Sequence, residues 1–444
     1  MVVTNCTANP LIRVAQNTAL DYFYRMGGGN CYGGYDNWHA LALVVFLYHE
    51  KDNCVLTQSL ESEDWIDYSL WWKCDDLVQK VRSELQDVEA DVADYIDWAD
   101  KYVVTGLYAN PSRKHEWDEF KAKLDDLLKK CANLEHSCPD RAKGAMYGLA
   151  IGDAMGAPVE FRPRGKFTPV TNFRDGGPFK LKAGQWTDDT AMALCLAASL
   201  IECNGMDTKD QMDRYLRWVN DGYMSCTGKA VGIGQTVLKS LVRYHNTQDP
   251  YQGSTSTKHA GNGCIMRLAP VPIFYHDDAE KAVLNSVDSA RTTHASPQAS
   301  QTTAYFAGLI WGALNGVPKD ELLEPYYTPM SDLSFTDLPE DVATVVAGNY
   351  KNKTPEELTP SGYAPQSLEV ALWAFYNSVS FEEGLLMAVN MGGDADTIGA
   401  IYGQLAGAFY GYKSIPENWI KGLDGLTYID DTVLKMEQII TQRT

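Results

Sequence analysis

The chain has 444 residues, of which 45% are hydrophobic and 22% charged, and its formal net charge is -20 at pH 7. This length and composition predict a soluble globular protein of two or three domains with a large core. A negative field of this size repels phosphate backbones and anionic lipid, which argues against nucleic acid and membrane surfaces as partners.

Neither the cysteines nor the apolar runs indicate a secreted or membrane protein. The ten cysteines are scattered, without a CxxC pair or the Cys/His spacing of a zinc module. The longest apolar run, residues 40–48, is far shorter than the roughly 20 residues that a membrane span requires. No basic region followed by an apolar segment opens the sequence, so no signal peptide is predicted. We therefore expect a reduced, cytoplasmic protein.

The first 138 residues differ in composition from the rest of the chain. They are rich in Trp, Tyr and acidic residues, and apolar side chains at helical spacing predict helices over residues 70–90 and 117–134. This part contains no catalytic constellation, and the segment 131–141, which carries a proline, is the candidate linker. We predict a smaller, mostly helical accessory domain of unknown function at 1–138 and a second domain at 139–444.

The second domain begins with a run of small and apolar residues from Gly144 to Gly156. A glycine inside a helix costs about 1 kcal/mol relative to alanine, so repeated glycines require a reason. Two reasons are open, namely close approach of another helix or a backbone that lies against a ligand. Glu160 follows the end of this run, and the basic, Gly/Pro-rich segment 161–182 predicts a surface loop.

An acidic motif follows this loop. Thr187, Asp188 and Asp189 stand before a predicted helix at 190–203, and each of them is a suitable N-cap residue. A cap requires only one of the three, and adjacent carboxylates repel each other unless a positive charge lies nearby. The surplus carboxylate leaves two interpretations open, a simple helix cap or half of a metal site.

The middle of the domain contains a candidate anion-binding turn. Gly261-Asn262-Gly263-Cys264 is a Gly-x-Gly turn whose backbone N–H groups suit an anion, although the signal alone is weak. Helices are predicted at 209–220 and 228–244, and the two prolines within 269–274 predict a short or broken helix.

Two histidines in this region receive different interpretations. His276 precedes two aspartates, but the partner histidines of a metal phosphohydrolase are missing, so a capped helix starting at Asp277 or Asp278 is favoured. His294 lies among hydroxyl residues at the entrance of a helix predicted at 298–315. Position alone leaves a ligand contact and a structural role equally open.

A second acidic cluster comes about two hundred residues after the first. Asp394 and Asp396 can converge on one cation, Thr397 adds a neutral oxygen, and Gly392 and Gly393 allow a sharp turn before them. The flanking segments predict helices over residues 367–378, 381–390, 398–410 and 430–442, and another helix between loops within 328–360.

Together the two clusters predict a site made only of oxygen ligands. Carboxylates and hydroxyls without Cys or His select Mg²⁺, Mn²⁺ or Ca²⁺. Four aspartates, two threonines and Glu160 exceed the needs of one small ion, so we predict two divalent cations, which would also offset the repulsion between the carboxylates.

From Ala142 to Tyr412 the chain resembles the ADP-ribosylglycohydrolases of the dinitrogenase-reductase-activating type. The resemblance covers about six tenths of the chain, and the combination of its pieces is specific. The pieces are, in order, GLAIGDAMGAPVEF, QWTDDTAMAL, GNGCIMRLAPV, TTHAS and NMGGDADTIGAIYGQLAGA. The resemblance implies a compact all-α helical bundle with two Mg²⁺ or Mn²⁺ ions at its centre.

The resemblance also implies a role for each matching residue. Catalytic roles fall to Glu160, Asp189 and Asp394, with Glu160 near the metals. The implied metal ligands are Thr187, Asp188, Asp189, Asp394, Asp396 and Thr397. The implied substrate contacts are Gly261, Asn262, Gly263 and Cys264 for the diphosphate, the ligand-facing His294, and Gly392 and Gly393 beside the distal ribose. Cys264 replaces the serine of many relatives, which removes a strong hydroxyl donor but keeps the backbone turn.

The activity that the resemblance implies is hydrolysis of ADP-ribose from a modified protein side chain, most plausibly arginine. The partners would then be an ADP-ribosylated protein and the product ADP-ribose, with residues 1–138 contacting the target or an ADP-ribosyltransferase toxin. Two alternatives stay open: a non-catalytic protein that binds ADP-ribose or neutralises a toxin, and a hydrolase of small ADP-ribose derivatives.

Overall fold

The computed structural model describes residues 138–330 and 338–443 of the chain. Within these residues the structure is helical, and β-structure is limited to isolated bridges between loops. The predicted all-α fold is therefore confirmed. The α-helices are α1 (Cys138–Gly156), α2 (Asp188–Cys203), α3 (Thr208–Asp221), α4 (Gln235–Thr247), α5 (Pro270–Phe274), α6 (Ala279–Arg291), α7 (Pro297–Leu314), α8 (Lys319–Leu322), α9 (Glu340–Val346), α10 (Ala364–Asn377), α11 (Phe381–Val389), α12 (Ala395–Tyr410), α13 (Glu417–Gly422) and α14 (Leu426–Arg443).

Helices α1 and α12 pack against each other more extensively than any other pair in this part of the chain. They run antiparallel, because Gly144 near the start of α1 faces Gly407 near the end of α12, and Gly156 faces Ala395. This direction brings the C-terminal end of α1 beside the N-terminal end of α12. Glu160, just beyond α1, and Asp394, Asp396 and Thr397, at the start of α12, are among the candidate site residues.

Glycine residues allow the two helix backbones to touch. A β-carbon added to Gly148 would lie 2.1 Å from the carbonyl oxygen of Gly403, and one added to Gly403 would lie 1.9 Å from that of Gly148. The same clash occurs one turn later, where a β-carbon on Gly152 would lie 2.0 Å from the oxygen of Gly399. Of the two reasons open for the glycine-rich run, close helix–helix approach is therefore correct for these positions.

The other helices enclose this pair. Helices α7, α10 and α11 cover α12, while α14 packs on α1. The fully buried Gln404 of α12 fixes the segment before α5, because its Oε1 accepts from the amide of Ala269 at 2.7 Å and its Nε2 donates to the carbonyl of Met266 at 2.8 Å. This amide anchors the chain that follows the turn at Gly261–Cys264.

Two predicted boundaries are wrong. The helix predicted at 228–244 begins only at Gln235, because Gly228 and Gly232 have positive φ angles of 68° and 88° that a right-handed helix does not accommodate. The candidate linker at 131–141 is helical from Cys138 onward. Pro139 is compatible with this start, because the first turn of a helix leaves its N–H groups unpaired anyway.

The remaining helix predictions agree with the structure to within a few residues. Asp278 caps α6 by accepting from the amide of Lys281, which confirms the capped helix predicted there. The helix predicted within 328–360 is α9, followed by a 3₁₀ turn at Asn349–Asn352. The helices predicted in the first 137 residues lie outside the described residues, and the division into two domains stays a prediction.

Because the backbones of α1 and α12 touch at their glycines, one methyl group added there should strongly destabilise the protein. Gly403→Ala should lower the free energy of unfolding by about 2 kcal/mol or more, because the overpacked helices must separate. Without that contact, alanine would stabilise the helix by up to about 1 kcal/mol. Urea unfolding followed by tryptophan fluorescence measures the difference.

Gly234→Ala is the matched control for Gly403→Ala. Gly234 has a φ of -68° and no atom within 4 Å of an added β-carbon. It is the N-cap of α4, so the change should cost at most about 1 kcal/mol, the preference of an N-cap for glycine over alanine. Equal stability of Gly403→Ala and wild type would contradict the backbone contact.

Candidate functional site

Six carboxyl groups meet where the end of α1 lies beside the first turns of α2 and α12. They are Asp153, Glu160, Asp188, Asp189, Asp394 and Asp396. Two of the three helix ends are N-termini, where the partial positive charge of the helix favours carboxylates. The predicted convergence of the two acidic clusters is therefore present in the fold, together with one aspartate that the prediction did not include.

The additional residue is Asp153, which caps α2 from outside the helix. Its Oδ1 accepts from the amide and the hydroxyl of Thr187, both at 2.9 Å. Its Oδ2 accepts from the amide of Thr190 at 3.0 Å and from the hydroxyl at 2.6 Å. Asp153 is fully buried, and these bonds occupy both of its oxygens.

This arrangement corrects the interpretation of Thr187, Asp188 and Asp189 as a cap. Thr187 occupies the N-cap position of α2, but its side chain makes no capping hydrogen bond. Because Asp153 satisfies the amides, the carboxylates of Asp188 and Asp189 are not used for capping. The sequence did contain a signal for Asp153: it is a single charge inside a run of small and apolar residues, where a buried charge must have partners.

Two groups of three carboxyl oxygens are close enough to share a cation. Asp153, Asp189 and Asp396 form one group and Glu160, Asp394 and Asp396 form the other, with the oxygens of each group within 4.8 Å of one another. Asp396 belongs to both. Each group on its own has enough oxygens to contribute to a site for one cation.

Unpaired oxygens support a cation at this position. Oδ1 of Asp189 and Oε2 of Glu160 are buried and have no hydrogen-bond partner in the described part of the chain. Buried carboxylate oxygens are normally paired, and oxygen donors alone suit a hard ion such as Mg²⁺ or Mn²⁺. The residues present therefore fit a divalent cation.

The raised pKa values of the carboxyl groups in the cluster also indicate that a positive charge would stabilise their ionised forms. Burial, followed by repulsion from Asp394 and other carboxylates, raises the pKa of Glu160 to about 8. Burial and the charge of Asp153 raise the pKa of Asp188 to about 7. Burial raises the pKa values of Asp189 and Asp396 well above the usual range, and repulsion adds to this, from Asp153 first for Asp189 and from Glu160 first for Asp396. The carboxyl groups cannot all be ionised together without a counter-charge.

The backbone around Glu160 is held by the glycines before α12. The amide of Phe161 donates to the carbonyl of Gly393 at 2.6 Å, and the amide of Gly393 donates to the carbonyl of Arg162 at 2.8 Å. A β-carbon on Gly393 would lie 1.9 Å from the carbonyl oxygen of Pro360. Gly392 and Gly393, predicted to lie beside the ribose, thus also join the Glu160 segment to the start of α12.

The turn at residues 261–264 joins the same cluster. Asn262 donates from Nδ2 to Oδ2 of Asp394 at 2.6 Å and to the hydroxyl of Ser367 at 2.9 Å. Its amide donates to the carbonyl of Gly362 at 3.0 Å. The thiol of Cys264 is buried and points to the carbonyl of Gly261 at 3.6 Å. The side chain of Asn262 therefore links the predicted diphosphate turn to a predicted metal ligand.

His294 lies directly against this turn. A β-carbon on Gly263 would lie 2.8 Å from Cε1 of the His294 ring, and one on Gly261 would lie 3.0 Å from Nε2. The ring is buried, and burial together with the charge of Arg267 lowers the pKa of His294 to about 3. The imidazole is therefore neutral at physiological pH.

Some predicted residues are less central. Asp188 is buried but belongs to neither oxygen group, and its Oδ1 faces the loop at Gly232, where an added β-carbon would lie 2.3 Å from it. Thr397 is buried in the first turn of α12, and its amide donates to Oδ1 of Asp396 at 2.9 Å. The assignments of all these residues as ligands stay predictions.

No helix within residues 138–330 and 338–443 is both long enough and apolar enough to cross a membrane.

Comparisons with known proteins find relatives of this chain. A sequence profile of the ADP-ribosylglycohydrolase family matches residues 134–443. Two bacterial proteins named ADP-ribosylarginine hydrolase Tri1 are similar to this chain. The Serratia proteamaculans protein is 39% identical over 66% of this chain and 78% of its own. The Pseudomonas putida protein is 36% identical over 70% of this chain and 80% of its own.

A solved structure of an ADP-ribosylglycohydrolase-related protein complex shares the fold. It matches with a TM-score of 0.60 and 43% sequence identity, covering 68% of this chain and 98% of the matched chain.

The hydrogen bonds of Asp153 predict an effect on cation binding. In Asp153→Asn an NH₂ group replaces one acceptor oxygen, so hydrogen bonds to Thr187 or Thr190 are lost and the first turn of α2, which carries Asp189, is no longer fixed. Mn²⁺ affinity should fall by about 10- to 100-fold, as is typical when the partner of a metal ligand is changed. Isothermal titration calorimetry with Mn²⁺ measures this. Asp288→Asn, at an exposed surface pair with Arg291, is the matched control and should bind Mn²⁺ like wild type.

The unpaired carboxylate oxygens predict that cations stabilise the fold. After treatment with a chelator, addition of Mg²⁺ or Mn²⁺ at about 100 times its Kd should stabilise the protein by about 2.7 kcal/mol. Differential scanning calorimetry detects this as a rise in Tm. In Asp396→Asn, which changes the residue shared by both oxygen groups, the rise should be much smaller. An unchanged Tm of the wild-type protein would contradict a cation site.

Proposed function

Because the chain belongs to the ADP-ribosylglycohydrolase family, we propose that it releases ADP-ribose from arginine side chains of modified proteins, with two divalent cations in the acidic cluster. The observation that carries this proposal is the pair of oxygen groups sharing Asp396, with buried, unpaired oxygens on Asp189 and Glu160. Arginine as the acceptor is supported by the two similar proteins that are named ADP-ribosylarginine hydrolases.

The proposed cations would be held by the predicted ligands. Asp396 would serve both ions, and the two acidic motifs would supply the rest of the ligands. These are Thr187, Asp188, Asp189, Asp394 and Thr397. When bound, Mg²⁺ or Mn²⁺ supplies positive charge that orients and polarises the oxygens of the distal ribose.

Glu160 is the proposed general base. Its unpaired Oε2 lies among the carboxylates, and its pKa is raised by burial and then by their repulsion. Once the cluster is neutralised, the carboxylate form is favoured and can accept a proton from the water that attacks C1″ of the ribose. Asp189 and Asp394 keep the ribose in the orientation for that attack. The leaving guanidine nitrogen takes up a proton from solvent as its bond to C1″ breaks, and Glu160 returns its proton to solvent afterwards.

The remaining predicted residues would bind the rest of the ligand. In this proposal the backbone N–H groups of the turn at Gly261–Cys264 face the diphosphate. Asn262 couples that turn to Asp394 through its 2.6 Å hydrogen bond, so diphosphate and ribose would be placed relative to one another. Gly392 and Gly393 would lie beside the ribose, where their positive φ angles of 69° and 63° turn the backbone sharply before α12.

A substrate panel tests the proposal. The full-length protein with Mg²⁺ or Mn²⁺ should release ADP-ribose from an ADP-ribosyl-arginine peptide at least tenfold faster than from an ADP-ribosyl-serine peptide, as followed by mass spectrometry. Glu160→Gln keeps the shape of the side chain but cannot accept the proton, so its kcat should fall by about 10²- to 10⁴-fold. Asp288→Asn should retain wild-type activity.

Three other results of the substrate panel would contradict the proposal or favour one of its alternatives. Release from serine alone would contradict arginine as the acceptor. ADP-ribose binding without release from either peptide would support the non-catalytic alternative. Conversion of free ADP-ribose to AMP or ribose phosphate would support hydrolysis of small derivatives.

A further inference from the structure

A fully buried arginine lies behind the candidate site. Arg267 has no exposed surface, and none of the ion pairs within residues 138–330 and 338–441 includes it. Its guanidinium lies 4.9 Å from the centre of the Tyr215 ring, and its Nη2 donates to the hydroxyl of Thr293 at 2.7 Å. A buried cation without an ion pair is expensive, so its presence requires a reason beyond packing.

The hydrogen bond from Arg267 determines the direction of the next one. A guanidinium only donates, so the Thr293 oxygen must accept from Arg267. The same oxygen lies 2.9 Å from Nδ1 of His294. A hydroxyl has one proton, and among the residues that the structure describes Nδ1 is the only acceptor beside Thr293 Oγ1, whose other partner is the arginine donor. A proton on Nδ1 would leave the buried hydroxyl proton of Thr293 without an acceptor. Nδ1 of His294 therefore accepts.

The tautomer of His294 follows from this chain of donors. The imidazole is neutral, so with Nδ1 as acceptor its single proton is on Nε2. Nε2 is the ring nitrogen nearest Gly261 in the candidate diphosphate turn. Within the described residues Nδ1 is the only ring nitrogen with a hydrogen bond, so the Nε2–H donor is available to a ligand.

We propose that Arg267 and Thr293 are positioning residues that hold His294 as the Nε2–H tautomer, so that its imidazole donates a hydrogen bond to a diphosphate oxygen of ADP-ribose. The identity of the ligand rests on the proposed function, whereas the tautomer does not. A neutral donor of fixed direction binds an anionic oxygen without the uncompensated charge of a buried imidazolium. Neither Arg267 nor Thr293 has to touch the ligand for this role.

If His294 had only a structural role, the choice of tautomer would not matter. His294 would then fill the space below the turn, and either tautomer would serve equally well. Thr293→Val keeps the shape and removes the hydroxyl, so it separates the two interpretations. Thr293→Ser restores the hydroxyl and is the conservative rescue. Thr432→Val, which removes a buried hydroxyl bonded to the carbonyl of Tyr428 in α14, is the matched control.

The first measurement is the tautomer itself. Long-range ¹H–¹⁵N correlation spectra of the full-length protein labelled with ¹⁵N-histidine distinguish protonated from unprotonated ring nitrogens, and His294→Gln assigns the signal. Wild type, Thr293→Ser and Thr432→Val should show an unprotonated Nδ1 and a protonated Nε2. Thr293→Val should show a mixture or the opposite tautomer. A protonated Nδ1 in wild type, or an unchanged spectrum in Thr293→Val, would overturn the inference.

The second measurement is ADP-ribose affinity by calorimetry, with Mg²⁺ present. Thr293→Val should bind about tenfold more weakly, corresponding to about 1.4 kcal/mol, while Thr293→Ser and Thr432→Val bind like wild type. Equal affinities of Thr293→Val and wild type would overturn the role of the donor. A wild-type protein that binds no ADP-ribose would overturn the proposed function and the diphosphate contact with it, and the spectra would still decide the tautomer.

Discussion

The contact between the backbones of α1 and α12 is the constraint on which the rest of this structure depends. Because glycine faces glycine along both helices, for instance Gly148 and Gly403, no side chain separates them. The antiparallel direction then places Glu160, just beyond α1, next to Asp394 and Asp396 at the start of α12. A larger separation of the helices would widen the distance between these oxygens, which must converge within a few ångströms to hold one ion. The geometry of the acidic cluster is therefore set by a contact that contains no charged group.

The carboxyl groups in the cluster divide into two kinds. Asp153 has both oxygens occupied by the amides and hydroxyls of Thr187 and Thr190, so it fixes the start of α2. Asp189 and Glu160 each keep a buried oxygen without a partner. Because Asp153 caps α2 from outside the helix, Asp188 and Asp189 are not needed as caps and their carboxylates are left for the proposed cation site. This division explains how three adjacent polar residues at the start of α2 can serve the site without weakening the helix.

Local patterns predicted most helices and the two acidic motifs, because periodicity, caps and charge repulsion act over a few residues. The helix start at Gln235 was missed because Gly228 and Gly232 adopt positive φ angles that composition does not specify. Asp153 was missed because its partners are 34 and 37 residues away along the chain. The orientation of His294 depends on Thr293 and on the more distant Arg267, so no local pattern contains it. The features that local sequence patterns do not predict here are mostly hydrogen bonds between elements that lie far apart along the chain.

The pairing of α1 with α12 also has a consequence for the order of folding. The two helices are separated by roughly 240 residues, and closing a loop of that length carries a large entropic cost that slows the formation of such contacts. During synthesis α1 emerges long before α12, so Gly144–Gly156 must wait for its partner while the intervening helices form. The acidic cluster is complete only once this pairing has formed. Incomplete chains that end before α12 contain both the α1 surface and the α2 motif without the residues that bring them together.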